Sequence, residues 1–184
     1  MSLYEQIQKI LGRTNASLIT LDKSFRCTSE ILNFSLQFIE HRPEIKSFNR
    51  SGDSPKVAAA THRALLGAIA QEVNSCREMG FQTICLICKT EKNANRLFGD
   101  LKSRIDLQLI RDRDIDIEGL QGVFIMPVYM SKGLEFDAVI LFDVNDESYC
   151  DEDDKKLLYV ECTRALHRLC LLCGGSVSPL ITAV

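Results

Sequence analysis

Phe25-Arg26, Gly133-Leu-Glu135 and Arg164 are the places in this 184-residue chain where residue type and spacing can do chemistry. They lie within Leu21-Asp-Lys-Ser-Phe-Arg-Cys-Thr-Ser-Glu-Ile31, Met130-Ser-Lys-Gly-Leu-Glu-Phe-Asp-Ala-Val-Ile140 and Asp153-Asp-Lys-Lys-Leu-Leu-Tyr-Val-Glu-Cys-Thr-Arg-Ala165. An arginine presents a planar fork of donors that matches phosphate oxygens, and lysine lacks that fork. A phenylalanine offers a π face for stacking. A glycine at a turn lets backbone N–H groups approach a phosphate, while a neighbouring carboxylate can accept a ribose hydroxyl. Tyr129 and Ser131 stand just before the glycine, and a tyrosine can stack on a base or hydrogen-bond a phosphate. Each residue alone has a plainer reading. An arginine on an amphipathic helix is usually structural or solvated, and a phenylalanine usually belongs to a core.

What is missing narrows the chemistry. No Gly-x-x-x-x-Gly-Lys-[Ser/Thr] occurs, so the chain has no phosphate loop of its own; neither Gly-x-Ser-x-Gly nor Gly-x-Gly-x-x-Gly occurs either. Among the eight cysteines, Cys85-x-x-Cys88 and Cys170-x-x-Cys173 imitate a zinc signature. Both pairs sit in apolar runs that read as strands, where side chains three apart face opposite sides of a sheet, so neither pair chelates one ion. The thiols read as core residues in a reducing compartment, and no metal is expected. The acidic runs, Asp112 to Glu118 and Asp146 to Asp154, read as solvated loops or helix starts. A net charge of -3 gives no long-range attraction to nucleic acid, so any such contact must be local. With no long apolar span and no signal-like start, the expectation is a cytoplasmic protein without membrane contact.

The elements that must position these residues read as one α/β domain spanning 1–184. Strand-like and helix-like runs alternate, which predicts a mainly parallel sheet flanked by helices. Strands are predicted over 17–21, 56–60, 82–88, 107–110, 122–129, 137–143 and 168–173. The run at 137–143 is apolar enough for burial on both faces. Helices are predicted over 28–40, closed by Pro43; over 62–79, ended by Gly80 in a left-handed cap; from a Thr90 cap through about 104; and over 152–167, with Asp153 and Asp154 at its positive end. The 49–55 stretch is a loop by composition.

In order and setting, the three stretches resemble motifs IV, V and VI of the UvrD/Rep-like superfamily 1 helicases. The resemblance implies a RecA-like fold and the role of the second motor domain, 2A, of a longer chain. It implies that Phe25 stacks on adenine, that Arg26 and Arg164 reach the γ-phosphate of ATP as arginine fingers, that Gly133 lines the nucleotide cleft and that Glu135 binds the ribose. The phosphate loop and the bound Mg2+ would then belong to an upstream RecA-like domain, and the chain would not hydrolyse ATP alone. Single-stranded or duplex DNA is the implied partner. Where the family has Thr-x-His, whose histidine approaches single-stranded DNA, this chain has Pro127-Val-Tyr129, so the resemblance makes Tyr129 and the nearby Ser131 the candidate nucleic-acid contacts. Arg26 and Lys132 are 106 positions apart (132 minus 26), too few for the 2B insertion of UvrD and Rep. That short form, with Phe48-Asn-Arg50, resembles the HelD-type branch, which includes an RNA-polymerase-associated factor. Two readings follow: a motor half that answers to nucleotide, or a non-catalytic module that binds RNA polymerase or another protein.

Overall fold

The alternation of apolar runs and helical periodicities carries through to the fold. The computed structural model describes residues 3–10, 12, 23–40, 45–47, 50–111, 119 and 121–182. Its elements are α1 (Leu3–Ile10), β1 (Lys23–Ser24), α2 (Ser29–Ser35), β2 (Lys46–Ser47), β3 (Lys56–Ala60), α3 (His62–Glu78), β4 (Thr83–Cys88), α4 (Glu91–Leu101), β5 (Gln108–Leu109), β6 (Gly122–Pro127), β7 (Phe136–Phe142), α5 (Glu152–Cys162) and β8 (Ala165–Gly174). Among the described residues, one six-stranded sheet runs in the order β3-β8-β7-β4-β6-β5, and every pairing in it is parallel. β1 and β2 make a separate parallel pair.

Side chains alternate across each strand, and this splits the core into two layers. Cys85, Ile87, Phe124, Met126, Val139, Leu141, Leu169 and Leu171 point to the layer that holds α2 and α5. Ile84, Leu86, Cys88, Val123, Ile125, Ile140, Cys170 and Leu172 point to the layer that holds α3 and α4. Residues 84–88, 138–142 and 169–173 of the central strands are therefore unbroken apolar runs, because a parallel sheet covered by helices has no wet face. Cys85 and Cys88 indeed lie in opposite layers.

Several predicted boundaries shift, each for a local reason. The 28–40 helix is α2, capped by Thr28, whose hydroxyl accepts from Ile31 N (3.4 Å); its last turn tightens into a 3-10 turn at Leu36–Phe38. Strand 122–129 stops at Pro127, which has no N–H to continue the ladder, and a 3-10 turn follows at Val128–Met130. The largest correction concerns 152–167. The helix ends at Cys162, and Ala165–Gly174 is strand, because β8 pairs with β7 all the way down to Phe136↔Ala165. Arg164 thus stands in the link after the helix. Gly80 has φ 83, the predicted left-handed cap. The 17–21 strand, Pro43, and Asp112 to Glu118 lie outside the described residues.

The link from β6 to β7 positions the site. These strands flank β4 on either side and both run parallel to it, so residues 128–135 must cross one face of β4 within a single short segment. Val128 and Met130 bury themselves in the layer shared with α5 and hold that crossing down.

Candidate functional site

Strand register brings the first two candidates together. Phe136 pairs with Ala165, and the Phe136 N–H donates to Arg164 O (2.9 Å), so the residues just before them, Glu135 and Arg164, arrive at the same end of the sheet. The segment entering α2 brings the third, and Arg26 Nε donates to Glu135 Oε1 as an ion pair with both side chains partly exposed. Phe25, Arg26, Glu135 and Arg164 line one open cavity of about 540 Å³. Phe25 is 66% exposed at its rim.

Arg164 is the inner member, only 8% exposed. Its Nε donates to Val160 O (3.0 Å), its Nη1 to Leu134 O (3.2 Å) and its Nη2 to Thr163 Oγ1 (3.3 Å). Burial, then the charge of Arg26, pull its pKa down. An arginine nevertheless stays protonated in a protein. The lining therefore carries the cations Lys23, Arg26 and Arg164 against a single carboxylate, Glu135, which makes the cavity electropositive in a chain of net negative charge.

The other candidates fall outside this lining. Gly133 is exposed in the 131–134 turn, with φ 87, a conformation that charges any side chain a steric penalty. It is not a lining residue; it shapes the turn that delivers Glu135. Ser131 is fully buried, and its hydroxyl donates to Val128 O (2.8 Å) while Leu134 N donates to Ser131 O (3.0 Å), so its side chain holds the crossing segment rather than facing solvent. Tyr129 is 47% exposed at the far end of that segment, beyond β6, with its hydroxyl 3.5 Å from Glu91 Oε2. The nucleotide candidates and Tyr129 thus stand at opposite ends of the parallel strands.

Lys23, Ser24, Tyr159 and Thr163 also line the cavity and were not anticipated. Tyr159 and Thr163 are four apart in the segment containing Arg164, a spacing that puts both on one helix face and could have flagged them. The Leu134 carbonyl had no sequence signal, because every residue has one.

The acidic stretch at the start of α5 is not uniformly solvated. Asp154 is buried; its Oδ2 takes the amides of Cys150 (2.9 Å) and Asp151 (3.1 Å), and Lys89 Nζ reaches its Oδ1 at 2.5 Å. Burial opposes its ionisation, but the Lys89 ammonium and the two amides outweigh it and hold the carboxyl below its ordinary value. Its oxygens are committed to closing the helix start.

A family model of the UvrD-like helicase C-terminal domain matches residues 122–172, which contain the Lys-Gly-Leu-Glu turn and the Thr-Arg link. The crystal structure of the C-terminal domain of a possible DNA helicase from Lactobacillus plantarum WCFS1 is similar over 86% of this chain and 92% of that one, at 32% sequence identity and a TM-score of 0.74. Two structures of arterivirus nonstructural protein 10, a helicase, one of them a complex with DNA, match at 12% and 11% identity. They cover 70% and 82% of this chain and 32% of each viral chain, with TM-scores of 0.45 and 0.46. No curated protein matches significantly. A likeness that extends across nearly the whole bacterial relative, on a six-stranded parallel sheet covered by helices on both faces, makes this chain a member of the UvrD-like helicase C-terminal domains, with their RecA-like fold.

Proposed function

We propose that this domain is the second motor half of an ATP-dependent DNA helicase or translocase. It contributes one wall of an ATP site whose other wall, with the phosphate loop and Mg2+, is an upstream RecA-like domain. The observation that carries the reading is the convergence of Arg26, Glu135 and Arg164 on one open, electropositive cavity with an exposed aromatic ring at its rim. The donor set fits a nucleoside triphosphate: guanidinium forks for phosphate oxygens, a carboxylate for a ribose hydroxyl and Phe25 for the base. Without a glycine-rich loop the chain cannot cradle the phosphates by itself. The short spacing between Arg26 and Lys132 supports placement in the HelD-like branch.

In this reading Arg26 exchanges its partner. An exposed ion pair contributes about 0–1 kcal/mol, so the Arg26–Glu135 contact yields readily to a phosphate and a ribose hydroxyl. Because the two arginines have more to hold in a triphosphate than in a diphosphate, domain closure is favoured in one nucleotide state over the other, which is the differential a motor needs. Tyr129, at the opposite end of the strands, is the candidate contact for single-stranded DNA, with Ser131 supporting the segment behind it.

The test is to join the chain to, or mix it with, the phosphate-loop domain and measure DNA-stimulated ATP turnover. Arg164→Ala is expected to lower turnover by about 10³-fold or more, the effect of removing an arginine finger. Intact turnover in that variant sinks the assignment. A full-length protein whose crosslinking pattern ignores ATP altogether would point instead to a non-catalytic interaction module.

A further inference from the structure

Arg164 is held at the end of α5 by an arrangement whose polarity is forced. After Cys162 the helix ladder fails: Arg164 N donates to Glu161 O (3.1 Å), and Val160 O is left without the amide it would take in a continuing helix. Two side chains fill the vacancy. Arg164 Nε reaches Val160 O at 3.0 Å, and Thr163 Oγ1 reaches the same oxygen at 3.0 Å. A hydroxyl has one proton, and a guanidinium has no acceptor. The Thr163 proton therefore goes to Val160 O, and the lone pairs of Thr163 accept from Arg164 Nη2 (3.3 Å). The negative end of the helix dipole lies under the cation as well.

We propose that Thr163 is the positioning residue for Arg164: its hydroxyl, triangulated with Val160 O, fixes the plane of the guanidinium across the end of α5. With Leu134 O as the third anchor, three of the five N–H groups are committed among the described residues, and two remain for the cavity that Arg164 lines. A finger held this way does not have to be ordered when a ligand arrives, which is the source of its efficiency in charge stabilisation. The role of Thr163 in turnover rests on the nucleotide reading above; its hold on Arg164 does not.

The experiment separates the two. Spectra of the Arg164 Nε–H group are recorded on the 184-residue chain, with the signal assigned by its loss in Arg164→Lys. Thr163→Val keeps the β-branched shape and removes the hydroxyl, whereas Thr163→Ser keeps the hydroxyl. Thr163→Val is expected to speed solvent exchange of the Nε proton about tenfold and to average the Nη signals, with Thr163→Ser restoring the wild-type pattern. Unchanged Arg164 signals in Thr163→Val, or failure of Thr163→Ser to restore them, overturn the proposal. In the protein joined to its phosphate-loop domain, Thr163→Val is expected to lower kcat about tenfold with KM little changed. A loosened Arg164 with unchanged kcat upholds the positioning and counts against the nucleotide reading instead.

Discussion

Glu161 lies three residues before Arg164 and has no exposed surface. The Tyr149 hydroxyl donates to its Oε1 (2.9 Å), while its Oε2 has no partner among the described residues. Burial pushes its pKa from 4.5 up to about 8, against the pull of the Tyr149 hydrogen bond and of Lys89. The native state therefore binds a proton that the unfolded chain releases between those two values. The resulting stability is fully present below pH 4.5 and is lost as pH rises through about 8. Glu161→Gln keeps the shape and removes the titration. Denaturation of both proteins from pH 5 to 8.5 should show a gap that shifts toward the variant as pH rises, on the order of a few kcal/mol. His167 bends the wild-type profile the other way: burial and then Arg50 depress its pKa, so its contribution is present above 6.5 and lost as pH falls. The comparison must therefore be between the two proteins and not along one curve. A constant gap would show that Glu161 is ionised in the fold.

At the scale of elements, two short pieces of backbone decide where the site stands. The start of α5 is closed by Asp154, which joins the Cys150 and Asp151 amides to Lys89 at the end of β4, with the Lys89 ammonium also over the Tyr149 ring (5.1 Å to its centroid). Asp154→Ala removes one half of the capping box and leaves the Lys89 ammonium, still donating to Ser148 O, without its carboxylate partner, and the expected loss in urea or guanidinium titration is about 2–3 kcal/mol. The 131–134 turn is the other piece. A Cβ on Gly133 would meet no atom within 4 Å, so only the backbone conformation at φ 87 resists substitution. Gly133→Ala should cost about 1–2 kcal/mol through that conformation alone, with Gly133→Asn milder because asparagine tolerates it. If the alanine variant melts like the parent, the turn has a different shape in solution.

At the scale of the molecule, the cysteines report on the two-layered sheet. Seven of the eight thiols are buried, and Cys150 alone is exposed. Burial raises the pKa of Cys76 to about 11 and of Cys170 to about 12, which keeps them as unreactive thiols at neutral pH. A thiol reagent added to native protein should therefore modify one cysteine quickly, and Cys150→Ser should abolish that fast phase; two or more fast thiols would mean that one layer opens. The same sheet separates the candidate residues in space. The cavity of Arg26, Glu135 and Arg164 lies where β7 and β8 begin, and Tyr129 lies where β6 has ended. Residues 128–135 are the direct covalent connection between those ends.

The parallel α/β class and the strands at 56–60, 82–88 and 137–143 were legible in the sequence, because period-two and fully apolar runs are local properties of the chain. The three motif stretches also singled out Arg26, Glu135 and Arg164, which the fold brings to one cavity. The end of α5 was not legible. Helical periodicity runs on past Cys162, and only pairing with β7, a partner distant in the chain, draws Ala165 and Leu166 into a strand and leaves Arg164 in the link. The burial of Asp154 was hidden for the same reason, since its ammonium partner, Lys89, comes from a distant part of the chain. Residue type and spacing determine what chemistry a side chain can offer. Which groups face one another, and which are used up holding the fold, is settled by long-range packing that no local pattern encodes.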